Sequence, residues 1–129
     1  MDTIADMLTI IRNAQAVKKE TVKIPYSKIK FNLARLLEGE GFVSTVEVKG
    51  INKKMSIIII LKYKEDGKPQ ITNLKRLSRS GQRLYTSYKN VRSVMGGYGR
   101  VILSTPMGLL TGEEAKKQKV GGEYICEIW

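Results

Sequence analysis

The segment Ile57-Ile58-Ile59-Ile60-Leu61 does most to limit how this chain can fold. Successive β-branched side chains suit a strand. The run is apolar enough for the centre of a strand from Met55 to Tyr63 to be buried on both faces. It is far too short to span a bilayer. A strand of this kind needs partners and a cover, and the residues before it supply both. Phe42 to Lys49 alternates, with Phe42, Ser44, Val46 and Val48 opposed to Val43, Thr45, Glu47 and Lys49. Gly50-Ile51-Asn52-Lys53 has the composition of a hairpin turn. Earlier still, Asp2 or Thr3 caps a helix carrying Ile4, Met7, Leu8, Ile11 and Ala14 on one face, fading at Val17-Lys18-Lys19. Val22 and Ile24 mark a short strand stopped by Pro25. Ser27 caps a second helix with Ile29, Leu33, Leu36 and Leu37 facing inward, ended by Gly39 or Gly41. The order is α-β-α-β-β, a small sheet with helices on one side.

Glu65-Asp66-Gly67-Lys68-Pro69 is polar, rich in breakers, and the best boundary. It divides the chain into an N-terminal α/β domain, residues 1–66, and a C-terminal β-rich domain, residues 67–129. The second half is expected to be mostly antiparallel β with short helices. Strands are expected at Ile71–Leu77, Arg83–Thr86, Arg100–Ser104 and Tyr124–Trp129. A helical turn over Lys89–Met95 ends at Gly96-Gly97. Pro106 and Gly108 break the chain. Thr111 with Glu114 forms a capping box for a helix reaching Gln118. The fold class is α+β in two small domains.

Charge narrows the function. The chain has 23 basic and 12 acidic residues. Residues 1–66 hold 12 basic against 8 acidic, and residues 67–129 hold 11 against 4. Between Asp66 and Glu113 there is no acid, while Lys68, Lys75, Arg76, Arg79, Arg83, Lys89, Arg92 and Arg100 lie inside the gap. A folded surface of one sign faces a polyanion. Ser78, Ser80, Thr86, Ser87, Ser93, Tyr85, Tyr88 and Tyr98 in the same window suit phosphates, 2′-hydroxyls and base faces. An anionic membrane would want a basic amphipathic helix or a lipidation signal, and neither is visible. The chain has no His and one cysteine, Cys126, which excludes His-based catalysis, a His/Cys metal site and an internal disulfide. A free thiol and a start at Met1-Asp2-Thr3 without a secretory signal favour a cytoplasmic protein. No cofactor and no small-molecule substrate is expected.

Three short motifs are candidates for chemistry. Gly97-Tyr98-Gly99 lacks the third glycine of a dinucleotide site and the aromatics of an RNA-recognition motif, so it reads as a turn entering a strand. Ser104-Thr105-Pro106-Met107-Gly108 brings two hydroxyls to a loop without long side chains, suited to phosphate and 2′-OH. An ordinary strand end is the alternative. Gly121-Gly122-Glu123 places a carboxylate on a basic face, where it can accept from a base amino group or a 2′-OH. The alternative is a turn plus an exposed Glu. The adjacent Glu113 and Glu114 are explained by capping and the helix dipole.

Ser104-Thr105-Pro106-Met107-Gly108-Leu109-Leu110-Thr111-Gly112-Glu113-Glu114-Ala115, Val120-Gly121-Gly122-Glu123 and the terminal Ile128-Trp129 closely resemble the bacterial-type small-subunit ribosomal protein S-eight family. So do Ile4-Ala5-Asp6-Met7-Leu8-Thr9 with Arg12-Asn13-Ala14, and Arg79-Ser80-Gly81-Gln82-Arg83-Leu84-Tyr85. The resemblance covers the whole chain. It implies a non-enzymatic structural protein that binds the central domain of small-subunit rRNA during assembly, mainly through the C-terminal domain, beside neighbouring small-subunit proteins. It places the primary RNA contacts at Ser104, Thr105, Pro106, Gly121, Gly122 and Glu123. Secondary contacts are expected at Arg12, Asn13, Arg79, Arg83, Tyr85 and Tyr88, core packing being the other reading of the two tyrosines. The chain departs from the family pattern at Pro106, where many members have Ser, at Ile10, where many are basic, and at Ser80, where Pro is common. A translational repressor binding an mRNA that mimics the rRNA site would use the same surface.

Overall fold

The structure, a computed structural model, describes residues 2–129. The chain forms two compact units, one spanning Thr3–Ile71 and one spanning Thr72–Trp129 together with Asp2. Two antiparallel sheets and three helices make it an α+β protein.

In the first unit α1 (Thr3–Ala16) buries Ile4, Met7, Leu8, Ile11 and Ala14 as the periodicity requires, and Gln15 besides. Lys18 ends it in the left-handed region, φ 55°. Its N–H donates to the Gln15 carbonyl at 3.0 Å. β1 (Thr21–Pro25) buries Val22 and Ile24. α2 (Lys28–Gly39) starts at Ser27, whose hydroxyl accepts from the Lys30 N–H. This helix buries Leu33, Ala34 and Leu37. Ile29, expected inside, is exposed, because the first turn of α2 carries it to the rim.

β2 (Val43–Lys49) and β3 (Ser56–Leu61) complete a sheet of order β1-β3-β2. The isoleucine strand is therefore the central one. Its register sets Ile59 between Val22 and Val46, and Ile57 between Ile24 and Val48. Ile57, Ile59 and Leu61 are buried, but Ile58 and Ile60 are only half-buried. The expectation of burial on both faces is corrected here. Both helices pack against the sheet and each other, so they cover one face. On the other, Ile58 lies between Lys23 and Glu47, and Ile60 between Thr21 and Thr45. The stems of these polar neighbours give only partial cover. Ile59→Ala should cost about 2–5 kcal/mol in urea unfolding, and Ile58→Ala clearly less. Equal losses would contradict a one-sided cover.

The alternation expected in β2 also needs correction. The register slips between Val43 and Thr45, so Ser44 is an extra residue. Phe42 and Val43 are both buried and Ser44 is exposed. The turn to β3 depends on Gly50. Its φ is 98°, and a Cβ there would sit 2.2 Å from the Lys54 carbonyl oxygen.

In the second unit β4 (Leu74–Arg76), β5 (Tyr85–Thr86), β6 (Arg100–Thr105), β7 (Gly108–Thr111) and β8 (Gly122–Ile128) form one sheet. Its order is β4-β8-β6-β7, with β5 also paired to β8. The C-terminal strand is thus the hub. α3 (Gly112–Gln118) is capped as expected, the Thr111 hydroxyl accepting from the Glu114 N–H at 3.2 Å. Leu77, Val91, Val94, Val101, Leu103, Ala115 and Tyr124 form the core, with Leu110, Val120 and Trp129 against it. Four expectations differ from the structure. The strands foreseen over Ile71–Leu77 and Arg83–Thr86 are only three and two residues long. The helical turn over Lys89–Met95 is two separate 3-10 turns, Tyr88–Asn90 and Met95–Gly97. The break at Pro106 and Gly108 is the turn of a hairpin, with β7 returning along β6.

Candidate nucleic-acid interface

The start of β8 has no side chain at Gly121 or Gly122, and neighbouring backbone fills the space. A Cβ on Gly122 would lie 2.1 Å from the Ser104 carbonyl oxygen and 3.1 Å from Thr105 Cγ2. One on Gly121 would lie 2.3 Å from the Thr86 carbonyl oxygen. These two positions need glycine for space, and through them β8 lies close against both β6 and β5.

That closeness assembles a row of side chains. Glu123 is registered opposite Ser104 on one side and Tyr85 on the other. Ser104 is in turn opposite Leu109. Directly paired residues share a sheet face, so Tyr85, Glu123, Ser104 and Leu109 stand side by side. Tyr85 is 70% exposed and the other three are half-buried. Among the described residues the half-buried Ser104 hydroxyl forms no hydrogen bond, so its donor and lone pairs are unclaimed.

Thr105 has a different task. Its hydroxyl donates to the Gly108 carbonyl at 2.8 Å and accepts from the Met107 N–H at 3.1 Å. It ties together the β6–β7 turn, in which Pro106 is exposed and Gly108 has φ 105°. The two hydroxyls of the motif therefore divide the work, one holding the loop and one presented by it.

Glu123 is not a bare carboxylate. The Arg83 guanidinium donates to it at 3.1 Å, with the Glu123 side chain 15% exposed and that of Arg83 53%. A pair this open contributes little to stability, about 0.2–1 kcal/mol, but it fixes the direction of both groups. Arg83 belongs to a loop anchored by Ser78, which is fully buried. The Ser78 hydroxyl accepts from the Leu84 N–H at 2.9 Å and donates to the Leu84 carbonyl at 3.2 Å. Arg79 and Gln82 exchange both backbone hydrogen bonds at 2.9 Å, closing the tip. Arg79 and Arg83 are thus exposed on a tethered turn beside the row.

Tyr88 is half-buried in its 3-10 turn and is not in the row. Arg12 and Asn13 are exposed on α1, in the first unit. The structure thus brings Ser104, Thr105, Pro106, Gly121, Gly122, Glu123, Arg83 and Tyr85 together. Thr86 and Leu109 were missed as neighbours. Their signal is only register, and β5 is two residues long, too short to show periodicity.

The acid-free window is not acid-free in space. Arg76 pairs with Asp2 at 2.9 Å, Arg83 with Glu123, and Arg92 with Glu127 at 3.2 Å. Lys75, Arg79 and Lys89 form no ion pair among the described residues. Cys126 is buried and its thiol is pushed up to about 12, chiefly by desolvation, so it stays protonated at neutral pH.

Comparison with known proteins shows the family of the chain. The family model described as Ribosomal protein S8 matches residues 2–129. A small ribosomal subunit protein uS8 of Rubrobacter xylanophilus is 48% identical over 128 residues, covering 99% of this chain and 97% of the relative. The uS8 of Roseiflexus castenholzii has the same identity and coverage. A small ribosomal subunit protein uS8c of Oltmannsiellopsis viridis is 46% identical over 129 residues, 99% of this chain and 98% of its own length.

Proposed function

The chain belongs to the ribosomal protein S8 family, and from that premise we propose that it binds small-subunit rRNA in its central domain and supports assembly of the subunit beside neighbouring ribosomal proteins. The role is structural, not catalytic. The arrangement that best supports RNA binding is the row Tyr85–Glu123–Ser104, set on backbone that glycine keeps bare. A ring, a carboxylate and a hydroxyl side by side match a base face, an amino or 2′-OH donor, and a phosphate or sugar oxygen. Such contacts choose an irregular RNA by shape and edge, while exposed Lys and Arg supply affinity for any RNA. The C-terminal unit is the principal binding surface in this reading. The Arg83 pair keeps Glu123 from repelling phosphate and leaves carboxylate lone pairs for the RNA. Arg12 and Asn13 provide a second contact from the first unit.

The two hydroxyls give a paired test. Ser104→Ala should leave urea stability unchanged and weaken binding to the rRNA central domain about fivefold to tenfold, the cost of one hydrogen bond at a desolvated contact. Thr105→Val should cost about 1 kcal/mol of stability and weaken the same complex, because the turn loosens. Neither should alter binding to an unrelated RNA. Equal loss on both RNAs would refute a role for this loop in selection.

A further inference from the structure

The Gly97-Tyr98-Gly99 turn, at the opposite end of β6, carries a feature that the row does not use. Tyr98 is 89% exposed, yet its backbone is tightly fixed. Val94 O accepts from the N–H groups of Gly97 and Gly99 at 3.0 and 3.1 Å, and Met95 O accepts from Tyr98 N–H at 3.1 Å. The Arg100 guanidinium donates to the carbonyls of Gly97 and Gly99 at 2.8 and 2.9 Å. The chain enters this turn through three successive positive φ angles, at Met95, Gly96 and Gly97. Gly99 is packed so closely that a Cβ would lie 2.5 Å from Val94 Cγ1. A large ring is thus held out into solvent on a turn that has little freedom left to lose. Glycines on both sides of it leave both ring faces uncovered.

We propose that Tyr98 is a stacking point for an unpaired base of the bound RNA, separate from the row at the far end of β6, roughly 13 Å along the strand. The inference rests on the RNA-binding reading above. A flat π-face is what a ring free on both sides can grip. A protein hot spot would want a contiguous apolar pocket around the ring, whereas among the described residues of this turn only Met95 is another large apolar side chain that is exposed. The flanking cleft, of about 90 Å³, has Val91, Val94 and Val101 in its lining and Arg92, Arg100, Lys116 and Ser93 beside them, with Glu113 the acid among them. Arg92 is itself paired with Glu127. With Arg100 held by the Gly97 and Gly99 carbonyls, Lys116 keeps the balance positive, which suits the phosphate of a stacked nucleotide and disfavours a neutral or basic protein surface.

The test uses the full chain and a transcript of the small-subunit rRNA. Tyr98→Ala should weaken binding about tenfold, as loss of one base stack does. It should leave the thermal midpoint and the salt slope unchanged. Tyr98→Phe should bind as the wild type, and ultraviolet irradiation of the wild-type complex should join the Tyr98 peptide to a base. Wild-type affinity in Tyr98→Ala overturns the proposal, as does a loss in Tyr98→Phe equal to that in Tyr98→Ala. If Tyr98→Ala keeps full rRNA affinity but enters small subunits poorly, the ring faces a protein and the proposal is overturned. If the wild type itself does not bind the transcript, the RNA reading fails first, and that outcome is recognisable without any variant.

Discussion

Gly122→Ala is expected to unfold at lower urea, by about 1–3 kcal/mol, and to bind the rRNA central domain at least thirtyfold more weakly. The added methyl meets the Ser104 carbonyl oxygen at 2.1 Å and its carbon at 2.8 Å. Backbone cannot swing aside as a side-chain tip can, so β6 and β8 must part at that point. Parting them separates Ser104 from Glu123 and tilts the turn that Thr105 holds. One carbon therefore disturbs most of the row while adding no charge and removing no contact group. Gly39→Ala is the control. It lies at the end of α2 with nothing within 4 Å of its Cβ position, and alanine there should be neutral or slightly stabilising. A Gly122→Ala protein as stable and as tightly bound as the wild type would sink this account of the site.

Raising the salt from 50 to 200 mM should weaken rRNA binding by about 250-fold to 1,000-fold. Six phosphate contacts give a log–log slope of about −4 to −5, and a fourfold rise in salt then costs about 2.4 to 3 decades. The same slope should hold for an unrelated RNA, since phosphates carry no sequence. The cations expected to set it are those without an internal acid, Lys75, Arg79 and Lys89 among them. Arg76, Arg83 and Arg92 already have carboxylate partners, so reversing one of them should disturb local structure as well as the slope. A slope near zero would remove the electrostatic half of the proposal and leave only the specific contacts.

Charge along the chain and charge in space differ here for a simple reason. The window from Gly67 to Gly112 holds no acid, yet strand pairing returns Glu123 and Glu127 to it from β8, and Asp2 comes from the other terminus. Linear composition cannot see a strand that folds back. Helices were legible because their signal is local. Ser27, Thr111 and the face of α1 stand where spacing puts them. The corrections fall where the signal is non-local. The Ser44 bulge is visible only in the register with β3. β7 hides because Pro106 and Gly108 read as an ending, although a proline followed by a glycine two residues later also suits a tight hairpin. The site motifs were legible as motifs. Their division of labour was not, because the use of Thr105 inside the turn and the pairing of Glu123 depend on three-dimensional neighbours.

The position of the isoleucine strand bears on the fate of the chain before it meets any partner. Five consecutive apolar, mostly β-branched residues without charge are a segment prone to cross-β stacking if its edge is ever presented. In the fold that edge does not exist, because β3 lies between β1 and β2. The strands that do form the margins are poor templates. β1 carries the exposed Lys23 and ends at Pro25, and β2 is bulged at Ser44 and carries Glu47 and Lys49 facing solvent. A protein made free and held in waiting thus keeps its most adhesive sequence interior, with guarded strands on either side of it.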